Sequence, residues 1–578
     1  MPAVTRTGQT VMLLLEVEKS MTSTNRQQWI THDLERTTGK DAQQANINAA
    51  KAVATALRST LGPSGRDKML VGSNGTVIVT NDGASILNRM DIDDPVARII
   101  AQAANTQNES IGDGVTTTVL LVGELLSQAE ELLREGLHPT VILQGYYKAC
   151  SHTLQRLGEY CIDFTPGDDE LLQAVAKTAV TGRWDTEATE RFSTLATNAV
   201  RIAGGGSSRS QSSPITVKAF PGGELHDSEL IEGILVDMNT SSTTVEMFDT
   251  QHSSILTDAR IALVNAKIGV ERPDNVDRIT IDDPEKLNSI HARESEIENE
   301  PVRVLSGLGV DILFCQKSID DAIRTKLAKE NILAIERTRQ DEFDVLVRAT
   351  RATAVESISA LKQSNLGRAG SIEQRSVGST PLLIITDLSR NKQASLLLRG
   401  GTKHVAEEIK RIIKNCTAVV RCVLWDGGVL PGGGATETAL STDLREHANT
   451  IDDREQLAIK AFANSIEIVP RTLINNAGRD LLDTFPKLRS KNVDDPMIGL
   501  DSLTGELQNM LEVDVLESAV VKRHSLTTAL ETTAMILRID DILQHTGTDS
   551  NEFPASDGWK PQSHIEQSNS GYPWAVGH

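Results

Sequence analysis

The chain is 578 residues long and carries 79 acidic against 58 basic side chains, for a formal net charge of −21. That balance argues against nonspecific nucleic-acid binding, which draws on basic surface, and an aromatic content of 3% leaves too few rings for stacking platforms. The length exceeds a single core and predicts roughly three or four domains. Lysines number 22 against 36 arginines, an acidic and lysine-poor composition suited to concentrated salt, where self-repulsion is screened. The five cysteines (Cys150, Cys161, Cys315, Cys416 and Cys422) show no Cys-x-x-Cys spacing and fit buried, reduced thiols rather than a disulfide framework.

Residues 1–30 read as an N-terminal extension. Val11 to Leu15 is apolar, but Glu16, Glu18 and Lys19 follow at once; neither a signal peptide nor a membrane span is expected, which predicts a cytoplasmic location. Whether Met1 or Met21 starts the protein stays open. From Asp41 to Arg58 apolar residues recur at helical spacing and run into Thr60-Leu61-Gly62-Pro63-Ser64-Gly65, a helix-breaking turn with exposed amides. Two strand-like runs follow, Met69 to Gly72 and Thr76 to Thr80, and then the tight turn Asn81-Asp82-Gly83. The stretch Ile111-Gly112-Asp113-Gly114-Val115-Thr116-Thr117-Thr118 sets two glycines, a carboxylate and three hydroxyls at the start of an apolar helix. Such a composition suits a metal-chelated phosphate chain, because glycines admit close backbone approach and a helix start offers unpaired N–H groups. Taken alone, it equally fits an ordinary loop-to-helix turn.

Breaks fall at Asp163 to Gly167 and at the Gly/Ser-rich Gly204 to Ser213. The middle of the chain, about Glu232 to Val377, mixes β-branched runs such as Ile261 to Val264 and Val310 to Phe314 with helical ones. The tail from Gln544 to His578 is rich in Ser, Asn, Gly and Pro without periodicity and reads as disordered; it serves either as filling for a cavity floor or as a dispensable solvated end.

Thr60-Leu61-Gly62-Pro63, Lys68-Met69-Leu70, Asn81-Asp82-Gly83-Ala84 and Gly112-Asp113-Gly114 stand in the order and spacing of chaperonins. So do Gly136 to Thr140, Phe314 to Lys317, Leu398 to Gly401, Gly432 to Ala435, Ile468 to Leu473 and Met535 to Asp541. From about Thr31 to Leu543 the chain resembles the group II chaperonins, the archaeal thermosome and eukaryotic cytosolic type, and the composition suits a salt-loving archaeal host. The resemblance implies a multidomain α+β fold: a mainly helical equatorial domain (31–163 and 416–543), a hinge-like intermediate domain (164–231 and 379–415) and an α/β apical domain (232–378). It also implies a built-in lid at about 238–257, here longer than usual and lacking the expected prolines.

The implied activity is that of an ATP- and Mg²⁺-dependent chaperone subunit, hydrolysing ATP to ADP and phosphate and enclosing unfolded polypeptides in a double ring of like or paralogous subunits. No nucleic acid or membrane partner is implied. Carried over residue by residue, the metal ligand is Asp113. Leu61, Gly62, Pro63, Gly83, Gly112, Gly114, Thr116, Thr117 and Thr118 surround the phosphates, Gly433 and Gly434 leave room for adenosine, and Glu517 holds the ribose, although Ser518 replaces the usual proline. Two carboxylates orient the attacking water in the family. One matches Asp82; the other falls on Asn415, an amide whose NH₂ donates where an acceptor is wanted. Val115 replaces a threonine, and Arg183 replaces a lysine thought to sense the γ-phosphate. These departures leave a second reading open, a nucleotide-binding but hydrolysis-impaired structural or regulatory subunit of a mixed ring. For unfolded polypeptide, Ile319, Ile323 and Leu327, at helical spacing within Ser318 to Glu330, are candidate contacts; core packing is the competing reading of the same stripe.

Overall fold

The computed structural model describes residues 34–72, 75–165, 167–182, 184–204, 215–238, 255–269, 284–388 and 393–545. It divides into two units, one formed by the chain ends up to Ala45 and from Ile539, the other by Asn46 to Arg538. In the first, β1 (Leu34–Thr38) pairs antiparallel with the last strand, Asp541–His545, in the register Leu34↔His545 to Thr38↔Asp541. Arg36 meets the Asp541 carboxylate at 2.6 Å across that pair.

The second unit begins at Asn46, within helix α1 (Lys40–Arg58). That helix leads into the hairpin β2 (Lys68–Val71) and β3 (Val77–Thr80). Then come α2 (Gly83–Leu87), α3 (Pro95–Ser110), α4 (Val115–Arg134) and α5 (Pro139–Glu159). The sequence signals are local and strong: Asp94 caps α3 by accepting from the Val96 and Ala97 amides at 2.8 and 3.0 Å, with Pro95 in the first turn, where it loses no helical hydrogen bond. These helices share one apolar core with elements from the far end of the chain, including Leu57, Ile100, Leu126, Tyr146, Phe462 and Leu530. Tyr146 lies edge-on to Phe462 and its hydroxyl donates to the Leu125 carbonyl at 2.8 Å, so the buried phenol is satisfied. The core is thus built from two distant stretches of the chain.

After α5 the chain forms α6 (Asp169–Val180), α7 (Thr186–Ile202), β4 (Thr216–Pro221), β5 (Glu229–Ile231) and β6 (Gly233–Asp237). Next are β7 (Ile255–Val264), α8 (Pro284–Leu308), β8 (Ile312–Cys315), α9 (Asp321–Lys329), β9 (Leu333–Ile335) and α10 (Gln340–Thr350). Strands β10 (Gly367–Val377), β11 (Thr380–Thr386) and β12 (Ser395–Gly400) follow. A mixed six-stranded sheet runs β6-β11-β10-β7-β8-β9, antiparallel through β7 and parallel from β7 to β9. Strand β8 is buried along its whole length, which accounts for its continuous apolar run Ile312 to Cys315. A three-stranded sheet, β4-β12-β5, adjoins it.

Helix α11 (Lys403–Asp426) starts at Thr402, whose hydroxyl caps it, and ends at Gly427. It turns Ile409, Ile412, Ile413, Cys416, Val419, Val420 and Val423 into one buried stripe, the i, i+3, i+4 pattern of a helix laid along a core. The chain then completes β13 (Val429–Pro431), α12 (Ala435–Ala448), α13 (Glu455–Ile466), α14 (Ile468–Asn476), α15 (Leu481–Asp494), β14 (Ile498–Asp501), β15 (Glu506–Asn509), β16 (Leu516–Ser518) and α16 (Ala519–Leu537).

The helix expected from Asp41 to Arg58 and the strand pair before Asn81 are present within a residue or two. Most of the segment read as a lid, residues 239–254, lies outside the described residues, as does the tail beyond His545. Ile255, Leu256 and Thr257, placed at the end of that segment, instead open β7, paired with Glu373, Ile372 and Ser371 of β10. Ile319, Ile323 and Leu327 are at most 3% exposed and pack in a cluster with Leu313, Cys315 and Ala334. The helical stripe is a core face, so these three present no surface to a polypeptide. Among the described residues no helix is long and apolar enough to cross a membrane.

Candidate functional site

A cavity of about 630 Å³ in the larger unit is lined by the turn Thr60 to Pro63, the turn Asn81 to Gly83, the loop and helix start Gly112 to Thr117, and residues Arg411, Ile412, Asn415 and Val419 of α11. Val175, Lys177 to Ala179, Thr181, Gly182, Trp184 to Thr186 and Thr189 form a further wall, and Gly433, Leu500 to Leu503, Val513 to Ser518, Val521, Lys522 and Ser525 another. Motifs scattered over the chain therefore converge on one space. Asp82, Asn415, Asp113, Leu61, Gly62, Pro63, Gly83, Gly112, Gly114, Thr116, Thr117, Gly433 and Glu517 all line it.

Two candidates stand back from the cavity. Thr118 is buried and donates its hydroxyl to the Gly114 carbonyl at 2.9 Å, fixing the first turn of α4. Gly434, at φ 75°, starts α12, and a Cβ there would lie 2.6 Å from Pro470; its role is close packing. Arg183 lies outside the described residues, while its neighbours Gly182 and Trp184 line the cavity.

The backbone explains why glycine recurs. Gly112, at φ 83°, sits under α11, and a Cβ there would come within 2.5 Å of the Ala418 Cβ. The bare backbone lets α11 seat close enough for Asn415 to reach the same walls as Asp113. Gly114, at φ 80°, precedes α4 and leaves its first amides without a side-chain cap, available to an anion.

The charged groups are held by named partners. Asp82 caps α2, its Oδ2 accepting from the Ser85 amide at 2.8 Å, and the same oxygen meets Arg411 Nη1 at 2.8 Å. Arg411 also pairs with Glu408 one turn back on α11. Burial pushes its guanidinium down to about 10, still charged near neutral pH. Asp113 is exposed to the cavity and accepts from the Gly114 amide at 2.7 Å. Behind it, buried Gln107 donates to the Asp113 carbonyl at 2.7 Å and bonds His524 through its other amide atom. At the opposite end Lys522 is buried between Glu437 and Glu517, 2.6 Å from the latter. Burial pushes the Glu517 carboxyl above its ordinary range, against the pull of the Lys522 ammonium.

The donor set discriminates among ligands. No group of three or more His, Cys, Asp or Glu among the described residues could hold a metal by itself. One exposed carboxylate beside hydroxyls suits Mg²⁺ shared with phosphate oxygens, since that ion keeps few protein ligands. The buried Asn81 Oδ1 lines the cavity without a protein partner, and an unpaired buried acceptor is costly until a ligand or water satisfies it. Sequence reasoning missed Arg411, Lys522, Glu437 and Asn81. Arg411 was within reach, standing one helical turn before Asn415 on the same face.

A model of the TCP-1/cpn60 chaperonin family matches residues 53–546. The chain is 40% identical to the thermosome subunit alpha of Halobacterium salinarum over 515 residues, 89% of this chain and 90% of the relative. With thermosome subunit 1 of Haloferax volcanii it shares 40% identity over 534 residues, 91% and 94% of the two chains. With thermosome subunit beta of Archaeoglobus fulgidus it shares 38% over 532 residues, 91% and 96%.

Proposed function

Because the chain belongs to the TCP-1/cpn60 chaperonin family, we propose that this group II chaperonin subunit binds Mg·ATP in the cavity between Gly62, Gly83 and Gly114 and hydrolyses it slowly to drive protein folding. The observation that carries the proposal is the convergence of Asp82, Asp113, the phosphate-facing glycines and Asn415 on one cavity. The glycine-rich turns and the open start of α4 would hold the phosphates by backbone N–H donation. Asp113 would hold Mg²⁺, which when bound neutralises phosphate charge.

Asp82 would accept a hydrogen bond from the attacking water and keep it in line. Asn415 keeps the shape of a second acceptor but not its charge, so water is oriented by one carboxylate instead of two. The rate falls without abolishing the reaction. A purely structural role is not favoured, since Asp82 and Asp113 are retained where the chemistry needs them.

Residues 31–163 and 416–543, around the helical core, would be the equatorial domain; residues 164–231 and 379–415, with α6, α7, β4 and the first half of α11, the intermediate domain; and residues 232–378, with the six-stranded sheet, the apical domain. Archaeoglobus fulgidus has relatives named thermosome subunits alpha and beta, which supports assembly with paralogous subunits; the assembly would be a double ring that receives unfolded polypeptide. The test is calorimetric binding of ATP with and without Mg²⁺, beside suppression of aggregation of a chemically denatured protein. Mg²⁺-dependent binding that Asp113→Ala abolishes supports the reading; binding that ignores both the ion and Asp113 refutes the site.

A further inference from the structure

The water-orienting carboxylate is not free in this structure. Asp82 Oδ2 already accepts from the Ser85 amide at 2.8 Å and forms an ion pair with Arg411 Nη1 at 2.8 Å, and a carboxylate tied to a guanidinium is a weaker acceptor for water. Arg411 has a side chain only 21% exposed and lines the cavity beside the turns that face phosphate. Three cations line that cavity among the described residues: Lys177, Arg411 and Lys522. Lys522 is committed to Glu437 and Glu517 at the other end. Arg411 is the cation whose partner is the catalytic acid itself.

We infer that Arg411 is a γ-phosphate-binding residue, held by Asp82 until nucleotide enters and then transferred to the terminal phosphate, which releases Asp82 to orient water. The inference rests on the reading of the cavity as an adenine-nucleotide site. A terminal phosphate presents several charged oxygens to the planar guanidinium fork, whereas Asp82 offers an oxygen already shared with a backbone amide. Because Arg411 and Asn415 stand one turn apart on α11, the exchange also changes what binds this helix to the Asp82 turn. Presence or absence of the γ-phosphate is thereby registered by the helix that follows β12 in the chain. A static tie between α11 and Asp82 would serve ATP and ADP alike; a phosphate ligand distinguishes them.

The experiment is equilibrium calorimetry on the full-length protein with Mg²⁺, using ADP and a β,γ-imido analogue of ATP, for the parent, Arg411→Gln and Asp82→Asn. Loss of one charge-assisted contact predicts that R411Q binds the analogue roughly 10- to 100-fold more weakly, with ADP affinity changed less than about twofold. Asp82→Asn removes one of the two carboxylates that hold the guanidinium and leaves it only Glu408, so the analogue gains several-fold relative to ADP; this variant decides the matter by itself if R411Q does not fold. Equal weakening of both nucleotides in R411Q, no weakening of either, or a D82N preference that stays level or falls overturns the role of Arg411. A parent protein that binds neither nucleotide overturns the nucleotide site and the inference with it.

Discussion

Replacing Lys522 with methionine removes an ammonium buried between two carboxylates, Glu437 with a side chain 6% exposed and Glu517 at 29%. Methionine fills most of the space, so the change is mainly one of charge. Breaking a buried pair from one side costs about 3–5 kcal/mol, because the remaining charge keeps its desolvation penalty without its counter-ion. Here two carboxylates are left facing each other. Burial already holds the Glu517 carboxyl above its ordinary range while Lys522 pulls it down, so the variant raises it further. A carboxyl with a raised folded pKa binds more protons in the native state than in the unfolded one, and stability then falls as pH rises through that window. The gap between parent and K522M therefore widens from pH 5 to pH 8. Urea unfolding midpoints at pH 5, 6.5 and 8 measure it, with ATP affinity as a second readout through Glu517. A gap below about 0.5 kcal/mol at pH 8, or one that does not depend on pH, would refute the reasoning.

Gly112→Ala forces a Cβ against Ala418 at a backbone φ of 83°; it should destabilise by about 1–3 kcal/mol and weaken nucleotide binding as α11 lifts, measured by melting and calorimetry. Glu467 is fully buried and meets Arg445, Arg471 and Arg489. Burial pushes its carboxyl up, but the hydrogen bonds and charges of Arg445 and Arg489 outweigh it and hold the group below its usual range. Glu467→Gln should thus cost about 2–4 kcal/mol at neutral pH, discounted for the partly exposed arginines, with the loss shrinking as pH falls through the depressed folded value. A penalty that persists unchanged at pH 3 contradicts this. Burial pushes the thiols of Cys150 and Cys315 up to about 11 and that of Cys416 up to about 12. Native protein at pH 8 should therefore label at half-buried Cys161 first, and peptide mapping that finds Cys416 modified early would contradict the packing of α11.

What the sequence disclosed was whatever is written locally. Gly62, Gly83, Asp113 and Gly114 announce close backbone approach and oxygen ligation through residue type and order, and the structure brings all four to one cavity. Periodicity located the helices but not their exposed faces. Ile319, Ile323 and Leu327 repeat every four residues whether the face meets solvent or a sheet, and only the packing of α9 against β8 and β9 decides for the core. Ion pairs were illegible for another reason. Arg411 meets Asp82, and Lys522 meets Glu437, across stretches of chain that no local pattern links. Asn415 was legible because a departure from an expected residue needs only a register, and the register is set by Gly400 and Gly432 on either side.

The central claim is that one carboxylate and one amide face the attacking water, and single-turnover ATP hydrolysis by the parent assembly beside Asn415→Asp tests it most directly. Restoring the second acceptor should raise the rate constant by about tenfold or more, with ATP affinity little changed. A parent rate that the substitution leaves level, at equal nucleotide occupancy, would contradict the role assigned to Asn415 and with it the account of a slowed ATPase.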